Sequence, residues 1–183
     1  MNDRLLEELE PLWIFGYGSL VWKPSIPFDE SRSARIFGFI RRFYQGSVDH
    51  RGVPKFPGRV VTLLEEPDGE VWGRAYRIPG PRRGDVLDSL DHREKGGYTR
   101  YIVDIDIEPG SGRTERGLVY VAHPKNRNYA GPESIEQIAE VVRSAHGPSG
   151  PNDEYVLRLA EALRAMGAED PHVFALEEAV LGY

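Results

Sequence analysis

Short segments rich in valine, isoleucine and aromatic residues recur along the middle of this chain, and they constrain its fold more than any other feature. In the segment 98–109, positions 101, 103, 105 and 107 are apolar and alternate with mostly polar ones, as in a strand with one buried face. Turn-forming residues at 65–70 (EEPDGE) separate two such segments, which predicts a hairpin. The predicted strands are 35–48, 59–64, 70–78, 98–109 and 116–123, besides one at the apolar run before Gly16.

Helical patterns are fewer and lie mainly at the end of the chain. One, at 84–95, is inserted among the strands, and the others occupy 131–147, 152–167 and 170–182. Each of these last three opens with a turn or capping residue, and the first two close with glycine. This order predicts an α+β fold, in which a small mixed sheet curls toward a barrel with helices outside. We expect one domain over residues 1–183, which is an ordinary length for a single core.

Composition excludes several classes of function. The chain carries 23 basic and 29 acidic side chains, a net charge of −6, which disfavours nucleic-acid binding through a basic face. It has no cysteine, and its five histidines lack the spacing of metal ligands. No apolar run approaches the roughly 20 residues that span a bilayer, and the N-terminus is charged where a signal peptide would be apolar. We expect a cytoplasmic protein without a metal centre or a membrane partner.

The glycine-containing stretch WIFGYGSLVW, residues 13–22, predicts a strand that runs into a loop with a binding role. It begins like a dinucleotide-binding fingerprint, but Val21 replaces the third glycine and Pro24 follows, so no helix is expected to begin there. Ser19 lacks the surroundings of a hydrolase nucleophile. Two interpretations stay open: the backbone N–H groups form a concavity for an anion such as a carboxylate, or the segment is only a tight turn.

One carboxylate stands in an unusual position in the helix predicted at 84–95. The apolar stripe that includes Val86 and Leu90 continues, four residues further on, to Glu94. Partial burial, the negative end of the helix dipole and the like charge of Asp91 are all expected to raise the pKa of Glu94 toward neutrality. Such a group suits a general base at pH 7, although a structural ion pair, for example with Arg93, is the alternative.

Several sequence blocks together resemble the ChaC family of glutathione-specific γ-glutamylcyclotransferases. The resemblance covers about residues 12–180 and implies a γ-glutamylcyclotransferase-like fold without a cofactor. It implies that the loop Tyr17, Gly18, Ser19 and Leu20 cradles the γ-glutamyl end of the substrate, that Glu94 is the catalytic acid/base, and that Tyr155 lies in the pocket. The blocks are WIFGYGSLVWKP, RRFYQGSVDHRGVPKFPGRVVTL, VWGRAYRIP, LDHREKGGY, YAGP, GPSGPNDEY and FALEEAV.

The implied reaction converts glutathione into 5-oxoproline and cysteinylglycine, and its chemistry suits a chain without cysteine or metal motifs. Two long loops rich in glycine and proline, 49–59 and 123–132, are candidate walls of the site. At the first of them Ser47, Arg51 and Arg59 are candidates for binding the glycine carboxylate, since arginine pairs well with carboxylates; a solvated surface role is the alternative.

Tyr155 follows Asn152, the expected N-cap of its helix, and shares a face with Leu159, so core packing and a pocket role are both compatible with its position. Two further functions stay open: a cyclotransferase for other γ-glutamyl amines or dipeptides, and a non-catalytic module that binds γ-glutamyl peptides.

Overall fold

The computed structural model describes residues 9–93 and 97–182, so Glu94 lies outside the described residues. Within these ranges five long strands form a closed barrel, and four helices accompany it. The elements in chain order are β1 (Leu12–Gly16), β2 (Glu30–Ser47), β3 (Gly58–Ile78), α1 (Arg83–Arg93), β4 (Tyr98–Ile107), β5 (Arg113–Ala122), α2 (Ile135–Ser144), β6 (His146–Gly147), β7 (Gly150–Pro151), α3 (Asn152–Ala165) and α4 (Pro171–Leu181).

The barrel has the strand order β1-β3-β2-β4-β5, and β1 closes it by pairing with β5. The closing pair is parallel, with Trp13 opposite Gly117, while the other pairs are antiparallel. A Cβ at Gly117 would lie 2.6 Å from the Trp13 carbonyl oxygen, so the close approach of the two strands requires glycine there. The α+β barrel expected from the sequence is confirmed.

The hairpin predicted at residues 65–70 is wrong. Both flanking segments belong to β3 and pair with the same strand, β2: Leu64 lies opposite Ile40, and Val71 lies opposite Ile36. The extra residues of β3 form a bulge, and a Cβ at Gly69 would lie 2.3 Å from the Phe39 carbonyl oxygen. Turn-type residues mark the bulge here, because an irregularity in one strand needs the same glycine and polar residues as a turn.

The helix predicted at 131–147 is shorter than expected at both ends. It begins at Ile135 because Ser134 and Gln137 form a capping box, each side chain accepting the other residue's backbone N–H. It ends at Ser144, after which β6 pairs with β7. The other two C-terminal helices agree with their patterns: α4 is capped by Asp170 and stops at Gly182, whose φ is +81°.

Two hydrophobic clusters on opposite faces of β1 hold the helices against the barrel. The larger cluster contains Trp13 and Phe15 together with buried residues of α2, α3 and α4. The smaller cluster contains Ile14 and the buried side chains of α1, Val86 and Leu90. The α1 stripe read from the sequence is therefore buried as expected. In the part of the chain that the structure describes, every helix is too short or too polar to cross a membrane.

Candidate active site

A cavity of about 410 Å³ lies where the two clusters meet at the end of β1. Its walls come from the loop after β1, the end of β2, the loop that follows β2, and the start of α3. Seven of the eight residues proposed for substrate binding from the sequence line it, namely Tyr17, Gly18, Ser19, Leu20, Ser47, Arg51 and Tyr155. The structure thus brings together residues that are more than a hundred positions apart in the chain; their role in binding stays a prediction.

The loop after β1 is tightly folded and its glycines make room for close neighbours. Ser19–Val21 forms a three-residue 3₁₀ turn, and no α-helix lies between it and β2 in this described segment, which agrees with the expectation that no helix begins here. A Cβ at Gly16 would lie 2.6 Å from the Leu20 Cβ, and one at Gly18 would lie 2.7 Å from the Tyr155 hydroxyl oxygen. Both positions therefore need glycine for packing.

Tyr17 connects this loop to the floor of the cavity. Its buried side chain donates a hydrogen bond from the hydroxyl to the Tyr120 carbonyl oxygen, at 2.8 Å. Tyr120 also lines the cavity, and its hydroxyl donates to Asp91 Oδ1 at 3.0 Å. Arg100 donates to the same Asp91 oxygen from Nε at 2.8 Å. The negative charge of Asp91 is therefore paired, which weakens the argument from the sequence that it acts as a like charge on Glu94.

Tyr155 is both a core residue and a cavity residue. It is 5% exposed and makes edge-to-face contacts with Trp22 and Phe43, at ring-centroid distances of 5.0 and 5.9 Å.

The expected N-cap role of Asn152 is wrong: Asn152 is the first residue of α3, and Pro151 precedes it without a side-chain cap. Asn152 is fully buried, accepts from the Arg59 backbone N–H at 2.6 Å and donates to the Arg59 carbonyl at 2.8 Å. It clamps α3 to the start of β3.

Ser47 and Arg51 are connected across the turn that leaves β2. The Ser47 hydroxyl oxygen accepts from the Arg51 backbone N–H at 2.9 Å. The Arg51 side chain is 8% exposed, and its Nη1 donates to the Pro151 carbonyl oxygen at 2.9 Å and to Glu154 at 3.0 Å. The hydrogen bond from Arg51 lowers the pKa of Glu154. This geometry places a cation in the cavity wall with both of its side-chain hydrogen bonds made through one nitrogen.

Arg59 does not join this site. Its Nη2 donates to Glu133 at 2.8 Å, and it is not among the residues that line the cavity, so its expected role in carboxylate binding is not supported. Both predicted wall loops contribute to the cavity: the first through Asp49, His50 and Arg51, and the second through Asn128.

Several lining residues were not predicted from the sequence. Tyr98 lines the cavity, and so does Gln45, a buried polar residue in the last part of β2. No local signal marks Gln45, because the same strand also carries other polar residues, such as Arg41 and Arg42. Among the described residues there is no group of three or more histidine, aspartate or glutamate side chains that could hold a metal ion.

Comparison with known proteins agrees with this fold and with the sequence motifs. The family model for ChaC-like proteins matches residues 12–183. A zebrafish (Danio rerio) protein named glutathione-specific gamma-glutamylcyclotransferase 1 is 45% identical over 174 residues, which cover 93% of this chain and 89% of the relative. The human (Homo sapiens) protein of the same name is 43% identical over 175 residues, covering 93% of this chain and 79% of the relative.

A solved structure gives the same result. The crystal structure of a yeast gamma-glutamyl cyclotransferase specific to glutathione superposes with a TM-score of 0.86 at 33% identity, covering 94% of this chain and 96% of the yeast chain. The similarity extends over nearly the whole length of both proteins, so the barrel and the helices correspond as one unit. The resemblance inferred from the motifs is confirmed, and the chain belongs to the family of ChaC-like proteins.

Proposed function

We propose that this protein is a γ-glutamylcyclotransferase that converts glutathione into 5-oxoproline and cysteinylglycine, as the names of its relatives indicate for them. The observation that carries the proposal is the cavity of about 410 Å³, in which the glycine loop, the Ser47–Arg51 turn and Tyr155 meet. A volume of this size suits a small ligand. Its lining combines aromatic side chains, such as Trp22 and Tyr155, with polar and charged ones, such as Ser47 and Arg51, which suits a peptide with an aliphatic chain and charged ends.

The reaction is an attack of the substrate on itself. The α-amine nitrogen forms a bond with the γ-carbonyl carbon, the bond between that carbon and the cysteine nitrogen breaks, and one proton moves from the amine to the leaving nitrogen. Because nucleophile and electrophile belong to one molecule, a bound conformation that presses them together supplies an effective molarity of roughly 10⁵–10⁸ M. The protein must fold the γ-glutamyl chain and move a proton, and both tasks need only side chains and backbone.

Glu94 is the proposed carrier of that proton. Two described residues that bracket it in sequence, Leu90 and Tyr98, both line the cavity, and Leu90 belongs to the buried stripe of α1. A carboxylate with a pKa near neutrality can take the proton from the ammonium and return it to the leaving nitrogen, a contribution on the order of 10²–10⁴-fold.

The charged ends of the substrate find complementary groups in the cavity wall. Backbone N–H groups of Gly18 to Leu20 are the proposed donors to the γ-glutamyl carboxylate or to the oxygen of the tetrahedral intermediate. Arg51 is the proposed partner of the carboxylate at the other end, because it lines the cavity and is largely buried. Ser47 fixes the turn that carries Arg51. Single-domain organisation, the cytoplasmic location and the lack of nucleic-acid and membrane partners stay predictions.

The decisive experiment incubates the purified protein with glutathione and, in parallel, with γ-Glu-Ala, and measures products by mass spectrometry. We expect 5-oxoproline and cysteinylglycine from glutathione. Free glutamate would mean that water is the nucleophile and that the protein is a hydrolase. Equal turnover of γ-Glu-Ala would broaden the substrate class to γ-glutamyl dipeptides. Binding of glutathione without any product would leave a binding module.

Two variants test the assigned base in the same assay. Glu94→Gln is expected to abolish release of 5-oxoproline while glutathione affinity changes by less than about tenfold, since the amide keeps the shape but cannot carry the proton. Glu140→Gln is the matched control, because Glu140 is an exposed glutamate on α2. Normal turnover by Glu94→Gln would refute the assignment of the base but not the reaction.

A further inference from the structure

Gln45 occupies a position where the ladder between β2 and β3 is irregular. Arg42 pairs with Thr62 and Gln45 pairs with Val60, so the register shifts between these two pairs. Such bulges redirect side chains and are frequent beside active sites. Gln45 is 2% exposed and lines the cavity. A polar side chain with this burial is expected to have all of its hydrogen-bonding atoms satisfied.

The orientation of the Gln45 amide follows from its neighbours. Its Nε2 donates to the Gly46 carbonyl oxygen at 3.3 Å and to Asn126 Oδ1 at 3.5 Å. Asn126 Oδ1 also accepts from the Asn128 backbone N–H at 2.7 Å, which identifies that atom as an oxygen. Rotating the Gln45 amide by half a turn would set its oxygen against two acceptors. The nitrogen therefore faces the protein, and Oε1 is the remaining acceptor.

Gln45 Oε1 has no hydrogen-bond partner among the described residues. Four other buried side-chain atoms share this property, but they are N–H donors of Trp13, Arg41, Arg59 and Arg77, none of which lines the cavity. An unpaired buried acceptor costs stability in the empty protein and is compensated when a ligand donates to it. The ligand that enters this cavity must accordingly present an N–H or O–H group at Gln45.

We propose that Gln45 Oε1 accepts a hydrogen bond from the α-amino group of the γ-glutamyl substrate and orients it for ring closure. This inference rests on the proposed function and adds a substrate-binding residue to it. The α-amino group keeps two N–H bonds after it loses the proton that makes it a nucleophile, and these need acceptors. The scissile nitrogen has the opposite need, because it must gain a proton, which an acceptor cannot supply.

The charge of the cavity supports the same assignment. Among the described lining residues Asp49 is the one carboxylate, and it is exposed in the middle of the Ser47–Arg51 turn. A neutral amide oxygen holds an amine without stabilising its protonated form as strongly as a second carboxylate would. Gln45 therefore fixes the direction of the nucleophile while leaving its proton to the general base.

The test combines a variant with a substrate analogue that lacks the α-amino group. Gln45→Met is expected to lower kcat/KM for glutathione by about ten- to a hundredfold, the range for losing a hydrogen bond to a charged or reacting group. Glutaryl-Cys-Gly has the same chain without the amine and cannot cyclise, so its inhibition constant measures all other contacts. That constant is expected to stay within about twofold between wild type and Gln45→Met. Equal weakening of both ligands would overturn the proposal and assign Gln45 to an amide N–H.

Two further measurements distinguish the loss of the Gln45 hydrogen bond from a folding defect. Gln45→Glu keeps an oxygen at the Oε1 position, but its second oxygen faces the Gly46 carbonyl oxygen and Asn126 Oδ1, so the readout is the pH–rate profile and not KM. We expect this profile to shift to higher pH, since a second carboxylate holds the amine protonated. An unshifted profile would overturn the proposal even if Gln45→Met does not fold. Gln137→Met, at the exposed start of α2, controls for the loss of a glutamine away from the cavity.

Release of 5-oxoproline by the wild-type protein is measured in the same series. No product from wild type would refute the proposed function itself. Product from wild type with unchanged kinetics for Gln45→Met would refute only the role of Gln45.

Discussion

Among the buried polar side chains of strand β2, Arg41 and Gln45 lie four residues apart, and the protein uses them differently. Both are 2% exposed. Arg41 Nη1 donates to Asp170 at 2.8 Å, and its Nη2 donates to the Trp72 carbonyl oxygen. Gln45 lines the cavity and keeps an unpaired acceptor. The first residue satisfies its charge within the chain and stabilises the fold, whereas the second depends on a ligand.

The surroundings of the two residues explain this difference. Asp170 is also the N-cap of α4, accepting from the Val173 backbone N–H at 3.1 Å, so the Arg41 pair attaches that helix to the barrel. Burial lowers the pKa of Arg41, and the Asp170 charge opposes this effect. Gln45 instead lies between the barrel and the loop that contains Asn126. A buried polar group beside a helix cap indicates structure, while one beside a cavity indicates binding.

The largest effect is expected when the buried ion pair between Arg41 and Asp170 is broken. Asp170→Asn keeps a capping side chain, because asparagine caps helices about as well as aspartate, but it leaves Arg41 without a counter-charge. Removing one partner of a buried ion pair costs about 3–5 kcal/mol, and we expect the lower end because the amide oxygen can still accept. The free energy of unfolding from urea titration measures this loss.

The control for that variant is Glu161→Gln. Arg158 and Glu161 form a surface pair at 3.2 Å on α3, with side chains 55% and 71% exposed. Exposed pairs of this kind contribute about 0.2–1 kcal/mol, so the control should change stability by less than 1 kcal/mol. Equal losses for the two variants would show that the Arg41 pair has no special role.

A pH titration tests the surroundings of the Arg41–Asp170 pair through His172, whose pKa both residues affect. Its Nε2 accepts from the Phe43 backbone N–H at 3.1 Å, and burial, together with Arg42 and Arg41, lowers its pKa from 6.5 to about 4, although Asp170 opposes this. Below pH 6.5 the unfolded chain binds a proton at this histidine that the folded protein does not bind until about pH 4. The free energy of unfolding should therefore fall between these values as pH is lowered, by at most about 3 kcal/mol.

The variant that isolates this contribution is His172→Gln, which can still accept from the Phe43 N–H but does not titrate. Unfolding measured at several pH values between 4 and 7 should show a shallower dependence for the variant than for wild type. Parallel curves would mean that other groups carry the pH dependence. His146→Gln, at the exposed histidine of β6, is the matched control for replacing a histidine by glutamine.

The sequence predicted the architecture well where apolar periodicity decides it. The stripe of α1, the capped helix after Asp170 and the alternating segments of the barrel follow from local patterns that burial then satisfies. It failed at residues 65–70, because a bulge and a hairpin turn use the same residue types and differ only in which strand pairs with both flanks. That pairing is a long-range property, which a local pattern does not contain.

The candidate site likewise contains residues that local sequence patterns mark and residues whose role depends on distant contacts. The glycine loop was found because glycine spacing is a local signal, and the family resemblance added Tyr155. Asn152 was misassigned as a cap since its true partner, the Arg59 backbone, lies far away in the sequence. Gln45 was missed because its importance depends on an unpaired atom, which becomes visible only when every neighbour is placed.

At the cavity that Gln45 lines, Gly18→Ala should affect activity more than stability. A Cβ at Gly18 would lie 2.7 Å from the Tyr155 hydroxyl and 3.1 Å from Val61 Cγ2, so the loop or the tyrosine must move. A shift in the cavity wall near the substrate is expected to lower kcat/KM about ten- to a hundredfold. Gly80→Ala is the control, because open space surrounds a Cβ at Gly80. Wild-type kinetics for Gly18→Ala would remove the loop from the site.

The smallest effect concerns Glu154, the partner of the cavity residue Arg51. Arg51 lowers the pKa of this half-exposed carboxyl, so Glu154 is ionised at neutral pH and offsets part of the Arg51 charge. In Glu154→Gln the guanidinium keeps its bond to the Pro151 carbonyl oxygen and gains net positive charge toward the cavity. If Arg51 receives the glycine carboxylate, KM for glutathione should fall by about two- to threefold, while stability changes by less than about 1 kcal/mol.

A γ-glutamyl methylamide, which lacks that carboxylate, should show no change in KM, and a rise in KM for glutathione would instead mean that Glu154 positions Arg51. Because the pair is partly exposed, raising the salt concentration should reduce the difference between wild type and variant, which separates a charge effect from a change in packing.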